Sequence, residues 1–211
     1  MSLEHEIKLA LPTAQVSAAA REFVARSGEA GRDIALTNIY FDTPSLALAR
    51  TKSALRLRHT PAGWLQTFKT LGVVQEGLHR RHEWELPVAG EALELPALLR
   101  ACDDAQAAAA LHETGPALVE LFRTVFTRTL WLVRDKSALI EAVIDQGEVL
   151  VSVSGEVRRA PISEIELELK DGDEAALQKL AAELTAMLPG VVPDNISKAE
   201  RGYLLLQRET H

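Results

Sequence analysis

The feature that most restricts how this chain can fold is a period of two in its charges. In EHEIK, Glu4, Glu6 and Lys8 alternate with His5 and Ile7, and in a strand residues i, i+2 and i+4 share one face. The pattern returns in SALRLRH, where Arg56 and Arg58 alternate with Leu55 and Leu57, and in HRRHEWEL, where Arg81, Glu83 and Glu85 alternate with His82, Trp84 and Leu86. SEIELELK sets Glu164, Glu166, Glu168 and Lys170 against Ile165, Leu167 and Leu169, and Lys69 in TFKT adds an isolated cation. A half-buried sheet with one face in water accounts for any single segment. The set is harder to leave in water, because Glu is depleted in strands and neighbouring like charges repel unless counterions or a ligand lie between them.

A closed or nearly closed antiparallel barrel resolves the difficulty by turning the charged faces inward around a wet lumen and the apolar faces outward beneath helices. Clustered Lys and Arg there suit a polyanion, and clustered carboxylates suit a hard divalent cation with a preference for oxygen ligands. Together they suit phosphoryl transfer, in which cations neutralise phosphates and a carboxylate orients or deprotonates water.

The remaining pattern fits one α+β domain. Strands are expected at about Leu3–Leu11, Thr37–Asp42, Ser53–Thr60, Leu65–Thr70 and His79–Val88, then at Thr124–Arg134, Leu139–Asp145, Val149–Gly155 and Pro161–Lys170. Pro61-Ala62-Gly63 and Asp145-Gln146-Gly147 read as turns between antiparallel neighbours. Helices are expected after Thr13 up to Gly28, across the alanine-rich Leu95–Thr114, after Asp173 up to Pro189-Gly190, and from Ser197 through Leu206. With 47% hydrophobic residues the core is ample. No apolar run approaches the ~18 residues of a membrane span, so a cytoplasmic protein without a membrane partner is expected. Cys102, the one cysteine, allows no internal disulfide or cysteine-based zinc cluster and reads as a small buried or half-buried thiol on the alanine-rich helix. The net charge of -7 argues against a nucleic-acid partner.

These segments resemble, in order, those of the CYTH proteins, the triphosphate tunnel metalloenzymes. EHEIK is similar to the family's ExExK signature, and it is followed by NIYFDT (38–43), LRLR (55–58), TFK ending at Lys69, and RRHEWE (80–85). TRTLWLV around Arg128, IEAVIDQGEV (140–149), EIELEL (164–169) and SKAERGY (197–203) continue the match. The likeness is greatest to the CYTH domain of bacterial inorganic triphosphatases. It implies an eight-stranded antiparallel β-barrel with helices packed outside, a triphosphate bound inside, and Mg²⁺ or Mn²⁺ as cofactor. A single domain over 1–211 is expected, without the helical CHAD module that often follows in that group, and a homodimer is compatible with the sequence.

Carried over by position, the resemblance implies metal ligation by Glu4, Glu6, Glu166 and Glu168 and phosphate binding by Lys8, Arg56, Arg58, Lys69, Arg81, Arg128 and Lys198. Glu6, Glu168 and Lys8 are the catalytic candidates, with water activated by Glu6 or by a glutamate of EIELEL. Glu83, Glu85 and Asp145 are expected to orient cations, Glu164 is ambiguous, and Tyr40 and Tyr203 are expected to pack at the tunnel wall or entrance. Lysines crowded by other cations should lose protons more easily, giving an alkaline optimum. The expected activity is hydrolysis of a terminal phosphoryl group of inorganic triphosphate. Thiamine or nucleoside triphosphatase, class IV adenylate cyclase and a non-catalytic polyphosphate-binding module are the alternatives. A cyclase would carry an HF-x-x-x-Y block before ExExK, where only Met1-Ser2-Leu3 stands. A binding module could dispense with paired carboxylates.

Overall fold

A computed structural model describes residues 2–70, 72–75, 77–135 and 137–207. Its centre is a curled ten-stranded antiparallel sheet. The strands are β1 (Ser2–Ala10), β2 (Arg32–Asp42), β3 (Ala54–Thr60), β4 (Gly63–Lys69), β5 (Val73–Gln75), β6 (Leu78–Val88), β7 (Val119–Arg134), β8 (Ala138–Val153), β9 (Glu156–Gly172) and β10 (Val192–Pro193). The order is β10-β1-β9-β8-β7-β2-β3-β4-β6-β5. β1 also pairs with β6 through Ser2–Ile7 while Glu6–Ala10 pair with β9, so β1, β9, β8, β7, β2, β3, β4 and β6 close into a ring. This is the expected eight-stranded barrel, with β5 and β10 added as short outer strands.

The helices are α1 (Val16–Ser27), α2 (Ala47–Arg50), α3 (Leu95–Ala101), α4 (Ala105–Thr114), α5 (Glu174–Met187) and α6 (Lys198–Gln207). Ala19 and Phe23 of α1 and Leu177, Leu180 and Leu184 of α5 bury the outward residues Ile7, Leu9, Trp131, Ile140, Ala142, Ile165 and Leu167. α3 and α4 cover Leu55, Phe68 and Trp84 on another part of the outer wall. Each strand thus buries its apolar alternates under helices, leaving the charged alternates for the lumen.

α6 differs from the other helices. Its Tyr203 and Leu205 pack with Leu36, Tyr40, Phe122, Phe126, Val149, Val151 and Ile162, residues on the same strand faces as the inward charges, so this helix closes the apolar part of the barrel interior. A side-chain carbon at Gly202 would sit 2.2 Å from the Phe122 ring, and only glycine lets α6 approach so closely.

Two local expectations are corrected. Asp145-Gln146-Gly147 is not a turn, because β8 runs unbroken through it and pairs with both β7 and β9. Gly147 serves close backbone approach instead: a side-chain carbon there would lie 2.1 Å from the Val125 carbonyl oxygen. The reversal comes later, at Ser154-Gly155, where φ values of 52° and 85° let two residues join β8 to β9. The alanine-rich helix is two helices, broken at Cys102-Asp103-Asp104. Asp104 caps α4 by accepting from the Ala107 backbone N–H, and Asp103 accepts from the Trp84 indole at 2.9 Å.

Candidate active site

The inward charges line one cavity of about 1080 Å³, whose wall includes Glu4, Glu6, Lys8, Arg56, Arg58, Lys69, Arg128, Glu166, Glu168 and Lys198. Of the expected site residues, only Arg81 is missing from this account, because its side chain lies outside the described residues. The cross-strand register explains the gathering. Glu6 lies opposite Glu168, Lys8 opposite Glu166, and Arg128 opposite Asp145, which is itself opposite Glu164.

At the deep end the charges are matched with one another. The Lys198 ammonium, delivered by α6, lies 2.6 Å from Asp145 Oδ2 and 2.8 Å from Glu166 Oε1, and also contacts Glu164. Lys8 contacts Glu166, Glu164 at 3.1 Å and Glu6 at 3.4 Å. Arg128 donates twice to Asp145, at 2.8 and 2.7 Å, and also to Glu166. Burial penalises every charge here, yet the partners win. Glu166 is held well below the usual carboxylate range by Lys198, Lys8 and Arg128, while Glu164, Glu166 and Glu6 raise Lys8 well above the usual lysine value. Lys198 is also raised, chiefly by Asp145 and Glu164 against burial. The lysines therefore sit among carboxylates, contrary to the expectation that crowding by cations would ease their protons away.

Asp145, Glu164 and Glu166 each place a carboxylate oxygen within 4.8 Å of the others, a spacing that could hold a divalent cation. All three contact the Lys198 ammonium. A metal ion at their centre would have to displace it.

On the wall formed by β2, β3 and β4 the two arginines differ: against burial, Tyr40, Glu83 and Glu85 raise Arg56 above its ordinary value, whereas Arg58 shifts the other way. Arg58 is pushed down to about 10, first by burial and then by the neighbouring charges of Arg56 and Arg128. Its Nε donates to Asn38 Oδ1 at 2.9 Å, and the Asn38 amide donates to Thr124 Oγ1 at 2.7 Å. Arg56 approaches Glu83 and Glu85 only at 3.8 and 3.9 Å. Cations facing cations with loose counterions make a place for a polyanion.

The same cavity has a carboxylate face of Glu4, Glu6 and Glu168. Burial raises the Glu168 carboxyl above its ordinary value, and the charges of Glu4 and Glu6 add to this against Lys170. Oxygen-only donors that repel one another suit a hard divalent cation. Glu4 is held by Lys69, which reaches its two oxygens at 2.9 and 3.0 Å and Glu83 at 2.9 Å.

Sequence reasoning passed over Glu141, Asn38, His79 and Arg201. Glu141 and His79 line the cavity and pair across strands with Glu168 and Glu6. Their signal was available in part, since Glu141 lies four residues before Asp145 and so on the same strand face. Arg201 contacts Asp194 and approaches Glu164 at 3.4 Å, a pairing across the fold that no spacing reveals.

A model of the CYTH domain matches residues 2–203. The chain belongs to the CYTH domain family. Among curated proteins, this CYTH chain is 36% identical over 174 residues to the inorganic triphosphatase of Haemophilus influenzae, a match covering 82% of the chain and 47% of that protein. It therefore spans about half the length of this relative. Among solved structures it is similar to HpAC1 from Hippeastrum, provisionally assigned as an adenylyl cyclase and with a dominant triphosphatase activity. The TM-score is 0.64 at 23% identity, over 98% of this chain and 100% of that one. A protein from Bacillus halodurans, provisionally assigned as an adenylate cyclase, follows with a TM-score of 0.56 at 18% identity, over 95% and 97% of the two chains. At these identities the structural matches speak for the CYTH fold alone. Among the described residues, no helix is long and apolar enough to cross a membrane.

Proposed function

We propose that this CYTH domain hydrolyses inorganic triphosphate with Mg²⁺ or Mn²⁺ as cofactor. The observation that carries the reading is the division of a single cavity into a cation-crowded wall and a carboxylate face. The identity to the Haemophilus inorganic triphosphatase supports it. In this reading Arg56 and Arg58 present forked donors to phosphate oxygens, Lys69 acts as a point charge, and Arg81 and Arg128 extend the grip. Glu4, Glu6 and Glu168 hold the divalent cation, which when bound supplies charge neutralisation for the phosphate oxygens. Glu166, expected as a ligand, is better placed to anchor Lys8, Lys198 and Arg128, whose charges it already meets. Glu6 or a glutamate of β9 activates the water. Positioning and charge stabilisation do most of the work, since a loose phosphoryl-transfer transition state asks little covalent chemistry of the protein.

The aromatic residues favour an inorganic substrate over thiamine or nucleoside triphosphates. Tyr40 is stacked on Phe122 at 4.7 Å, Tyr203 meets Phe122 edge-on at 5.2 Å, and Trp84 stacks with Phe68 and His82. These rings are occupied in the wall, which leaves little to stack a base. The test is phosphate release from tripolyphosphate, ATP and thiamine triphosphate, with Mg²⁺ or Mn²⁺, by the native chain and by Glu4→Gln. Metal-dependent release from tripolyphosphate, lost in the variant, is expected. Tight triphosphate binding without release from any substrate would replace the enzyme with a binding module.

A further inference from the structure

Lys170 stands where the period of two breaks. β8 and β9 pair residue for residue as far as Ile140 with Leu169, but the next pair is Leu139 with Asp171, so Lys170 is the extra residue of a β-bulge. Bulges bend a strand and re-aim a side chain, often beside an active site. The Lys170 ammonium lies 2.8 Å from Glu168 Oε1 and 3.7 Å from Glu141 Oε1. Those two carboxylates are direct cross-strand partners, an arrangement that is unfavourable for like charges unless a cation bridges them. The side chain is 35% exposed at the cavity wall, so the ammonium can leave without unfolding anything around it.

We propose that Lys170 is a built-in counter-ion of the carboxylate face: without metal its ammonium holds Glu168 and Glu141 together, and a divalent cation binds by taking Glu168 from it. The inference rests on the reading of Glu168 as a metal ligand. It makes metal affinity a competition between two cations for one carboxylate. Lys170 offsets part of the negative charge of the empty site at the expense of affinity, and once displaced its ammonium is left beside the cavity, where an incoming phosphate oxygen can accept from it.

The test is Mn²⁺ binding to the full chain at neutral pH without triphosphate, followed by calorimetry and by the electron paramagnetic resonance of free Mn²⁺. Lys170→Gln should bind Mn²⁺ about fivefold tighter than the native chain, the scale of one partly exposed ion pair, while Lys170→Arg stays within about twofold of native. Arg80→Gln removes a cavity cation that is engaged with Glu174 instead, and should change Mn²⁺ affinity by less than about twofold. Glu168→Gln should weaken Mn²⁺ binding by about tenfold or more, which checks the metal reading by itself. If Glu168→Gln weakens binding but Lys170→Gln binds no tighter than native, the counter-ion is overturned and the metal face stands. Equal tightening by Arg80→Gln also overturns it, by reducing the effect to long-range charge. Native affinity in Glu168→Gln, or no binding by either the native chain or Lys170→Gln, removes the metal face and the counter-ion with it.

Discussion

The deep end of the tunnel and Arg58 on its β2–β3–β4 wall place buried cations in opposite conditions. At the deep end Lys8, Lys198 and Arg128 meet Asp145, Glu164 and Glu166 at close range, and against burial these contacts shift Lys8, Lys198, Arg128, Asp145 and Glu166 toward their charged forms. On the wall Arg58 faces Arg56 and Arg128, and its proton is held less firmly than usual. Such a difference separates charges that are satisfied within the protein from charges that await a ligand. A buried ion pair is costly to break but adds little net stability compared with an apolar replacement of the whole group, whereas an unsatisfied cation costs stability and returns it as affinity.

The largest effect should come from breaking the matched end. Lys198→Met leaves three carboxylates facing one another, and chemical denaturation should show a loss of about 3 kcal/mol, near the lower end for broken buried pairs because Lys8, Arg128 and Arg201 remain. A loss below about 1 kcal/mol would mean that the network is better hydrated than its burial implies. Arg58→Met sharpens the contrast from the other side. Stability should hold or rise slightly, while triphosphate binding measured without metal weakens about tenfold, the scale of one charge-assisted hydrogen bond. If stability falls as far as in Lys198→Met, the two regions are not different in kind. Asn38→Ala should act in the same direction with a smaller effect, weakening triphosphate binding about threefold by releasing the guanidinium from its hydrogen bond.

Acid gives the gentlest test. Against burial, Lys69 and Arg56 lower the Glu83 carboxyl, and Arg56 and Arg58 lower that of Glu85. A carboxyl lowered by folding adds stability that is present above its unfolded pKa, about 4.3, and disappears as pH falls through the lower folded value. Between pH 5 and pH 3, denaturation midpoints of the native chain should therefore fall more steeply than those of Glu83→Gln/Glu85→Gln. Parallel curves would show that these carboxylates contribute no linkage.

The faces of the strands were legible in the sequence because a period of two fixes them whatever the neighbours are. Hence EHEIK, LRLR and EIELEL indicated a charged lumen, and the family resemblance named most of the charged residues that line the cavity. Partners were not legible, because they depend on register and on elements far apart in the chain. Lys198 meets Asp145 only because α6 enters the barrel, and Glu141 joins Glu168 only through the β8–β9 register. Glycine misled where its two uses look alike. At Gly147 it permits close packing inside a strand, while at Gly155 it makes the turn. The bulge at Lys170 was hidden because the alternation of SEIELELK continues smoothly through it.

The closure of the ring by β1 also shapes how the chain folds. This strand precedes all its partners in the chain: β6, and, near the far end of the described residues, β9 and β10. Pairing between such distant segments is slow, because the loop must close before the contacts can stabilise it. Until then β1 has two open edges, the condition in which strands join other chains. Glu4, Glu6 and Lys8 place charge along that waiting strand, so the residues that line a tunnel in the finished protein are also of the kind that discourages edge-to-edge pairing before it closes.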